Sequence, residues 1–200
     1  MKVPPIAIFY TNSIPEETFS DFLRLVSPTG LDVQVKSRPS DGIYAGLEWL
    51  MPTAVIIFIG KPYFDSFFSE MGKDHYSMLK AGLKALRTKF FGSKAPKFIK
   101  VGTQGKLTVS QFYSFVFSIV AEAEPGLRFK LLLQSEASED EYEEIINAFF
   151  NFLAEYHSGN LAIATVDMLQ KGRVVGDILL ISYNLKSKAI EAIDPIPVEK

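Results

Sequence analysis

A carboxylate, Glu70, stands about one helical turn beyond a hydroxyl, Ser66, in the run Tyr63-Phe-Asp-Ser-Phe-Phe-Ser-Glu70. Residues at this spacing share a helix face, and Glu70 is the carboxylate that could do chemistry there. They follow the apolar run Val55 to Ile59 and Gly60. In open α/β sheets the carboxyl edge of such a buried strand is where ligand crevices lie. Partial burial in a crevice would tune the charge of Glu70. A plain solvent-facing glutamate is the opposing reading and fits the same spacing.

Other familiar chemistry has less to stand on. The chain has no cysteine, which excludes disulfides, thiolate nucleophiles and cysteine-based zinc sites. His75 and His157 fall in separate helical stretches without neighbours at metal-ligand spacing, so no metal site is expected. Asp74-His75 has the order of a base with its orienting carboxylate, but adjacent surface residues have it too. No Gly-x-Gly-x-x-Gly or P-loop sequence occurs, and no Gly-x-Ser-x-Gly elbow. Gly102-Thr-Gln-Gly105-Lys106 fits an anion-binding turn and equally an ordinary tight turn.

The elements that must position Ser66 and Glu70 follow from the apolar pattern. Pro52 and Gly60-Lys-Pro bracket Val55 to Ile59, five large apolar residues without alternation, which reads as a strand covered on both faces. Before it, Ile6 to Tyr10 reads as a strand. Ser13-Ile-Pro-Glu16 resembles a capping box, and Phe19, Phe22, Leu23 and Val26 recur at helical spacing. Leu31, Val33 and Val35 suggest a more exposed strand. Pro39-Ser-Asp-Gly42 suggests a turn before a short helix carrying Ile43, Leu47 and Leu50. From Tyr63 to about Phe91 the pattern is helical, with Gly72 and Gly82 counting against one unbroken helix.

Beyond Gly92-Ser93, Phe98 to Val101 suggests a strand, and Ser110 to Glu124 a helix that is apolar nearly all round. Phe129 to Leu133 is another strand. Ser138-Glu-Asp-Glu141 is a second capping box and opens a helix that stops by Gly159. Leu161 to Val166, Val174 to Tyr183 and Ala189 to Ile193 read as three strands of an antiparallel meander. The expected fold is therefore a single α/β domain over 1–200, with a mostly parallel central sheet and helices on both faces. A sub-boundary falls near 92–97.

Composition narrows the class. Hydrophobic residues make up 48% of the 200 and include 17 phenylalanines, which argues for a folded core rather than disorder. No run approaches the roughly 20 apolar residues of a membrane helix, and Pro4-Pro5 interrupt the first apolar stretch, so a soluble cytoplasmic protein is the expectation. Residues 61–106 hold ten Lys or Arg against three acids, while 131–170 hold eight acids and no Lys or Arg. Such faces could steer a ligand or a second copy of the chain, or could be solvated helix surfaces. The basic helix 80–89 is the one nucleic-acid candidate, and no recognition motif accompanies it.

Three stretches together resemble the layout of a Toll/interleukin-1 receptor (TIR) domain. They are Ile6-Ala-Ile-Phe-Tyr10, Gly42 through Trp49 to Gly60, and Tyr63-Phe-Asp-Ser66-Phe-Phe-Ser-Glu70. The resemblance spans residues 5–90 and implies a flavodoxin/TIR-like first half. It departs from the family in lacking the Trp-Cys before the glutamate and in carrying Thr11-Asn12 after the first aromatic strand. It implies a catalytic role for Glu70, with Ser66 beside it. It also implies NAD as substrate or ligand, with Tyr10 or Tyr63 stacking on a ring and Lys61 near the pyrophosphate. Glu70 would then stabilise positive charge on the ribose as nicotinamide leaves.

Two functions emerge. The first is a non-catalytic protein-interaction or regulatory module, requiring no cofactor, whose aromatic and oppositely charged faces meet a protein partner or another copy. The alternative is an NAD glycohydrolase-like enzyme or nucleotide sensor using Glu70. Exposure of Phe67, Phe68, Phe112 and Phe117 would favour the module, and their burial would make them ordinary core.

Overall fold

The computed structural model describes residues 4–30, 32–39, 53–67, 70–91 and 112–195, with the side chains of 29, 65–67 and 70–73 outside that description. The strands are β1 (Ile6–Thr11), β2 (Val33–Arg38), β3 (Val55–Ile59), β4 (Tyr113–Glu124), β5 (Leu127–Gln134), β6 (Val174–Val175), β7 (Ile178–Asn184) and β8 (Ala189–Ala192). The helices are α1 (Ser20–Val26), α2 (Lys61–Phe67), α3 (Glu70–Phe90), α4 (Glu139–Ser158) and α5 (Ile163–Lys171).

The strands form one sheet in the order β2-β1-β3-β4-β5-β7-β6, with β8 paired to β7. The α/β class read from the sequence holds, but the sheet is mixed rather than mostly parallel. β1/β2, β3/β4 and β5/β7 are parallel, while β1/β3, β4/β5, β6/β7 and β7/β8 are antiparallel. Apolar patterning marks a strand and its buried face without fixing its direction, which the connections decide.

Register puts Ile6, Ile8 and Tyr10 of β1 beside Ile59, Ile57 and Val55 of β3, and these beside Ala121, Ile119 and Phe117 of β4. All nine are buried. The same face continues through Phe129 and Leu131 to Leu179 and Ile181. Rings fasten the helices to it. Phe19, just before α1, packs on Tyr10 at 4.9 Å, Phe90 of α3 stacks on Phe117 at 5.8 Å, and Phe152 of α4 meets Phe129 at 5.0 Å. These contacts put α1, α3 and α4 on one face of the sheet. The opposite face carries the half-buried Phe9, Ile56 and Phe58 with the buried Ser118, Val120, Lys130, Leu132 and Leu180.

Two segments change type. Of the stretch read as a helix from Ser110 to Glu124, Tyr113 onward is the twelve-residue strand β4. A central strand buried on both faces looks apolar all round, as a buried helix does, and the Phe115-Val-Phe-Ser-Ile-Val120 run of aromatic and β-branched residues is the arbiter. Conversely, Leu161 to Val166, read as a strand, runs into α5 from Ile163 onward. Ala164 and Met168 are four residues apart on one side of it, and Leu169 packs toward the core. The meander consists of β6, β7 and β8 alone.

One capping box forms and the other does not. Ser138 Oγ accepts from the Glu141 amide while the Glu141 carboxylate accepts from the Ser138 amide. At Ser13 the chain instead enters α1 through a 3-10 turn, Glu16–Phe19, behind Pro15. Ser13 pairs with the Thr11 hydroxyl at 3.0 Å, and Glu16 is turned to Tyr10. The helix expected over Tyr63 to Phe91 is present as α2 and α3 on either side of residues 68–69. The expected helix after Gly42, the strand Phe98 to Val101 and the Gly102–Lys106 turn fall outside the described residues.

Gly82 is the close-approach point between α1 and α3. A Cβ there would lie 2.8 Å from Phe22 Cδ2 and 3.1 Å from Val26 Cγ2, and both side chains are fully buried. A helical Gly→Ala change ordinarily gains about 1 kcal/mol, whereas forcing extra volume into a packed contact costs about 1–3 kcal/mol. Gly82→Ala is therefore expected to lower stability by about 1 kcal/mol net. Urea denaturation should show a lower midpoint at unchanged slope; a raised midpoint would refute the close-packing account.

Candidate functional site

At the carboxyl edge of β3 the chain turns through Gly60, whose amide donates to the Pro5 carbonyl at 3.0 Å. The next amide, that of Lys61 at the start of α2, donates to Glu122 Oε2 at 2.9 Å. Glu122 sits near the end of β4, which runs parallel to β3. The protein's own carboxylate thus occupies the positive end of α2, a natural place for an anion. The Lys61 side chain is exposed.

Tyr63 is 1% exposed, with its ring edge-on to Phe64 at 5.3 Å. Burial pushes its hydroxyl far above the usual phenol range. Phe64 stacks in turn on His157 of α4 at 4.3 Å. Ser66 lies in the last turn of α2 and Glu70 opens α3, both with side chains outside the description. Tyr10, by contrast, pairs with Val55 at the amino end of β3. The length of β3, roughly 16 Å at about 3.3 Å per residue, separates it from Lys61 and Tyr63. The hydroxyl of Tyr10 donates to Glu16 Oε2 at 3.1 Å, and burial followed by the Glu16 charge raises its pKa. Of the three residues expected around a nucleotide, Lys61 and Tyr63 come together and Tyr10 lies at the other edge.

Part of the charge asymmetry is met between two helices. Lys84 of α3 reaches Glu139 of α4 at 2.8 Å and Glu143 at 3.8 Å, and Lys80 reaches Glu143 at 3.7 Å. Arg87 donates to the Ala137 carbonyl at 2.9 Å and lies over the Tyr142 ring, while Lys89 reaches Asp21. Exposed ion pairs of this kind stabilise little, but their order sets α3 and α4 antiparallel. A groove of about 250 Å³ runs between them over Tyr76, Ala81, Tyr142 and Ile146. His75 is buried on α3 and its neighbour Asp74 is exposed. Phe117 is fully buried core, Phe112 is 59% exposed, and the side chains of Phe67 and Phe68 are outside the description.

A second groove, of about 540 Å³, was not foreseen. Ala164, Asp167, Met168 and Lys171 of α5 form one wall; Ala192, Ile193 and Asp194 form the other, with Gly172 and Arg173 between them. The misreading of α5 as a strand hid it, although the i, i+3, i+4, i+7 spacing of those four residues was available.

Lys130 was also missed. The alternation Arg128-Phe-Lys130-Leu puts it on the sheet face opposite the helices, beside Val120 and Leu180. It is 2% exposed, and burial, with the Arg38 cation second, lowers its pKa to about 7. Arg38 itself donates to the Thr53 carbonyl, and the Thr53 hydroxyl pairs with Ser118 Oγ at 2.6 Å.

Among the described residues no group of three or more His, Cys, Asp or Glu side chains could hold a metal ion, and no helix is long and apolar enough to cross a membrane. No known protein family, curated protein or solved structure matches the chain.

The lowered pKa of Lys130 has a stability consequence. Between about pH 7 and the ordinary lysine value near 10.4, the unfolded chain binds the proton that the folded chain releases. Folding stability should therefore rise with pH across that window, by up to about 1.4 kcal/mol per unit. The buried Tyr63 and Tyr142, whose pKa values are raised, reverse the trend once phenols ionise in the unfolded chain. Urea midpoints at pH 7 and pH 9 should show the rise, and Lys130→Met should remove it. A flat wild-type profile would refute the assignment.

Proposed function

We propose that the chain is a non-catalytic protein-interaction or regulatory module. The observation that carries this reading is the exposed apolar surface around α5, a nine-residue helix that buries none of its residues. Ile163 and Val174, on α5 and β6, stand exposed there, beside the half-buried Val166, Met168 and Val175. Apolar exposure concentrated on one edge marks a contact surface more often than scattered single residues do.

The state of the β3 edge supports the same reading. Glu122 engages the first amide of α2, Tyr63 is enclosed, and Tyr10 is committed to Glu16 at the far edge. A TIR-like origin for the first half remains part of the proposal. The order β2-β1-β3-β4-β5 matches the flavodoxin-like pattern, although β3 runs antiparallel to β1.

Calorimetric titration of NAD to millimolar concentration, with product analysis, tests the reading against its enzymatic rival. The expected result is no saturable heat and no nicotinamide release. Saturable binding with nicotinamide release that is abolished by Glu70→Gln would overturn the module and establish a glycohydrolase. Binding without turnover would replace it with a nucleotide sensor.

A further inference from the structure

We infer that the α5 edge is a self-association surface, on which a second copy of this chain docks across a two-fold axis. The inference rests on the module reading and names its partner. Three features of one small surface carry it.

The first is a projection beside a recess. Ile163 opens α5 at 82% exposure. Ala164, the next residue, begins the wall of the groove that continues through Met168 to Ala192 and Ile193 on the other side. A two-fold contact is isologous, so a patch must be complementary to itself. A projecting aliphatic side chain next to an aliphatic recess meets that condition, because each copy can offer Ile163 to the recess of the other.

The second feature is charge. The groove holds Asp167 and Asp194 of one sign and Lys171 and Arg173 of the other. Such a patch is neutral in sum and does not repel its own image. A nucleic acid would require a basic surface, and a strongly basic or acidic partner would require a surface of opposite sign. A second copy meets no net like charge on this balanced surface.

The third feature is how α5 is attached. The helix rests on the sheet through Leu169 and through the close approach of Gly172 to Leu179 and Ala192, leaving its outer side free of intramolecular burial. Val174, at 49% exposure on the two-residue edge strand β6, extends the apolar surface past the end of the helix.

Sedimentation velocity of the purified chain from about 1 to 300 µM should show a concentration-dependent monomer–dimer equilibrium. Ile163→Glu and Met168→Glu should each weaken it at least tenfold. Unchanged circular dichroism would exclude unfolding as the cause, as expected for a helix with no buried residue. Exchanging the charges, Asp167→Lys with Lys171→Asp, keeps the sum at zero and should retain more association than Asp167→Lys alone. A monomer throughout the range would overturn the inference and leave the groove to a different protein. A dimer indifferent to both Ile163→Glu and Met168→Glu would overturn it as well. Neither failure touches the module reading, whose own test is the NAD titration.

Discussion

The direction of β3 governs how the rest of the molecule can be used. It runs antiparallel to β1 and parallel to β4, and its inward side chains Val55, Ile57 and Ile59 lie fully buried between those neighbours. In a fully parallel sheet the carboxyl ends of β1 and β3 would share an edge and could line one crevice. Here they lie at opposite edges. One edge holds Tyr10 with Glu16, and the other holds Gly60, Lys61 and Tyr63 with Glu122. Tyr10 and Tyr63 therefore lie at opposite ends of β3.

The helices are held over the sheet by a chain of rings. Tyr10 meets Phe19, Phe19 meets Phe90, Phe90 and Phe91 both meet Phe117, and Phe91 meets Tyr142. This path crosses β1, the turn before α1, the end of α3, β4 and α4. Ring pairs add about 0.5–1.5 kcal/mol each beyond their area burial, whereas exposed lysine–glutamate pairs add little. Packing therefore fixes the height of α3 and α4 over the sheet. The Lys80, Lys84, Glu139 and Glu143 pairs choose which sides face one another. The buried Tyr142 hydroxyl adds a direct tie, donating to the Leu83 carbonyl at 3.2 Å. Part of the segregation of basic and acidic residues along the chain is thus an internal matter between two neighbouring helices.

Much of the fold was legible because local signals and burial agreed. Ser138 with Glu141 marked the start of α4, and Gly159, at φ 73°, marked its end. The alternation in β2 and the apolar run of β3 located those strands. Legibility failed where two structures share one apolar pattern. β4 is buried on both faces, and its sequence satisfies a buried helix as well as a central strand. The start of α5 is a short aliphatic run that satisfies a strand. The pairing directions were illegible for a different reason, since no residue of β3 records which neighbour it will join. The candidate site suffered most from this, because the resemblance that placed Tyr10 near Tyr63 carries a strand direction that β3 does not have.

The two glycines at close approaches show how a weakly buried element is nonetheless held in place. Gly82 lets α3 meet Phe22 and Val26 of α1 within an already dense core. Gly172 does something different. A Cβ at that position would fall 2.6 Å from Leu179 Cδ1 and 3.2 Å from the Ala192 Cβ, so the end of α5 lies directly on β7 and β8. The backbone amide of Gly172 also closes α5, donating to the Met168 and Leu169 carbonyls at 3.1 Å. Helix end and sheet edge are therefore joined at one backbone point, while the side chains of α5 remain largely outside the core. That arrangement leaves Ile163, Asp167 and Lys171 exposed and Met168 only half-buried. Residues at these positions can be chosen for what they meet outside the molecule, because the fold places few demands on them.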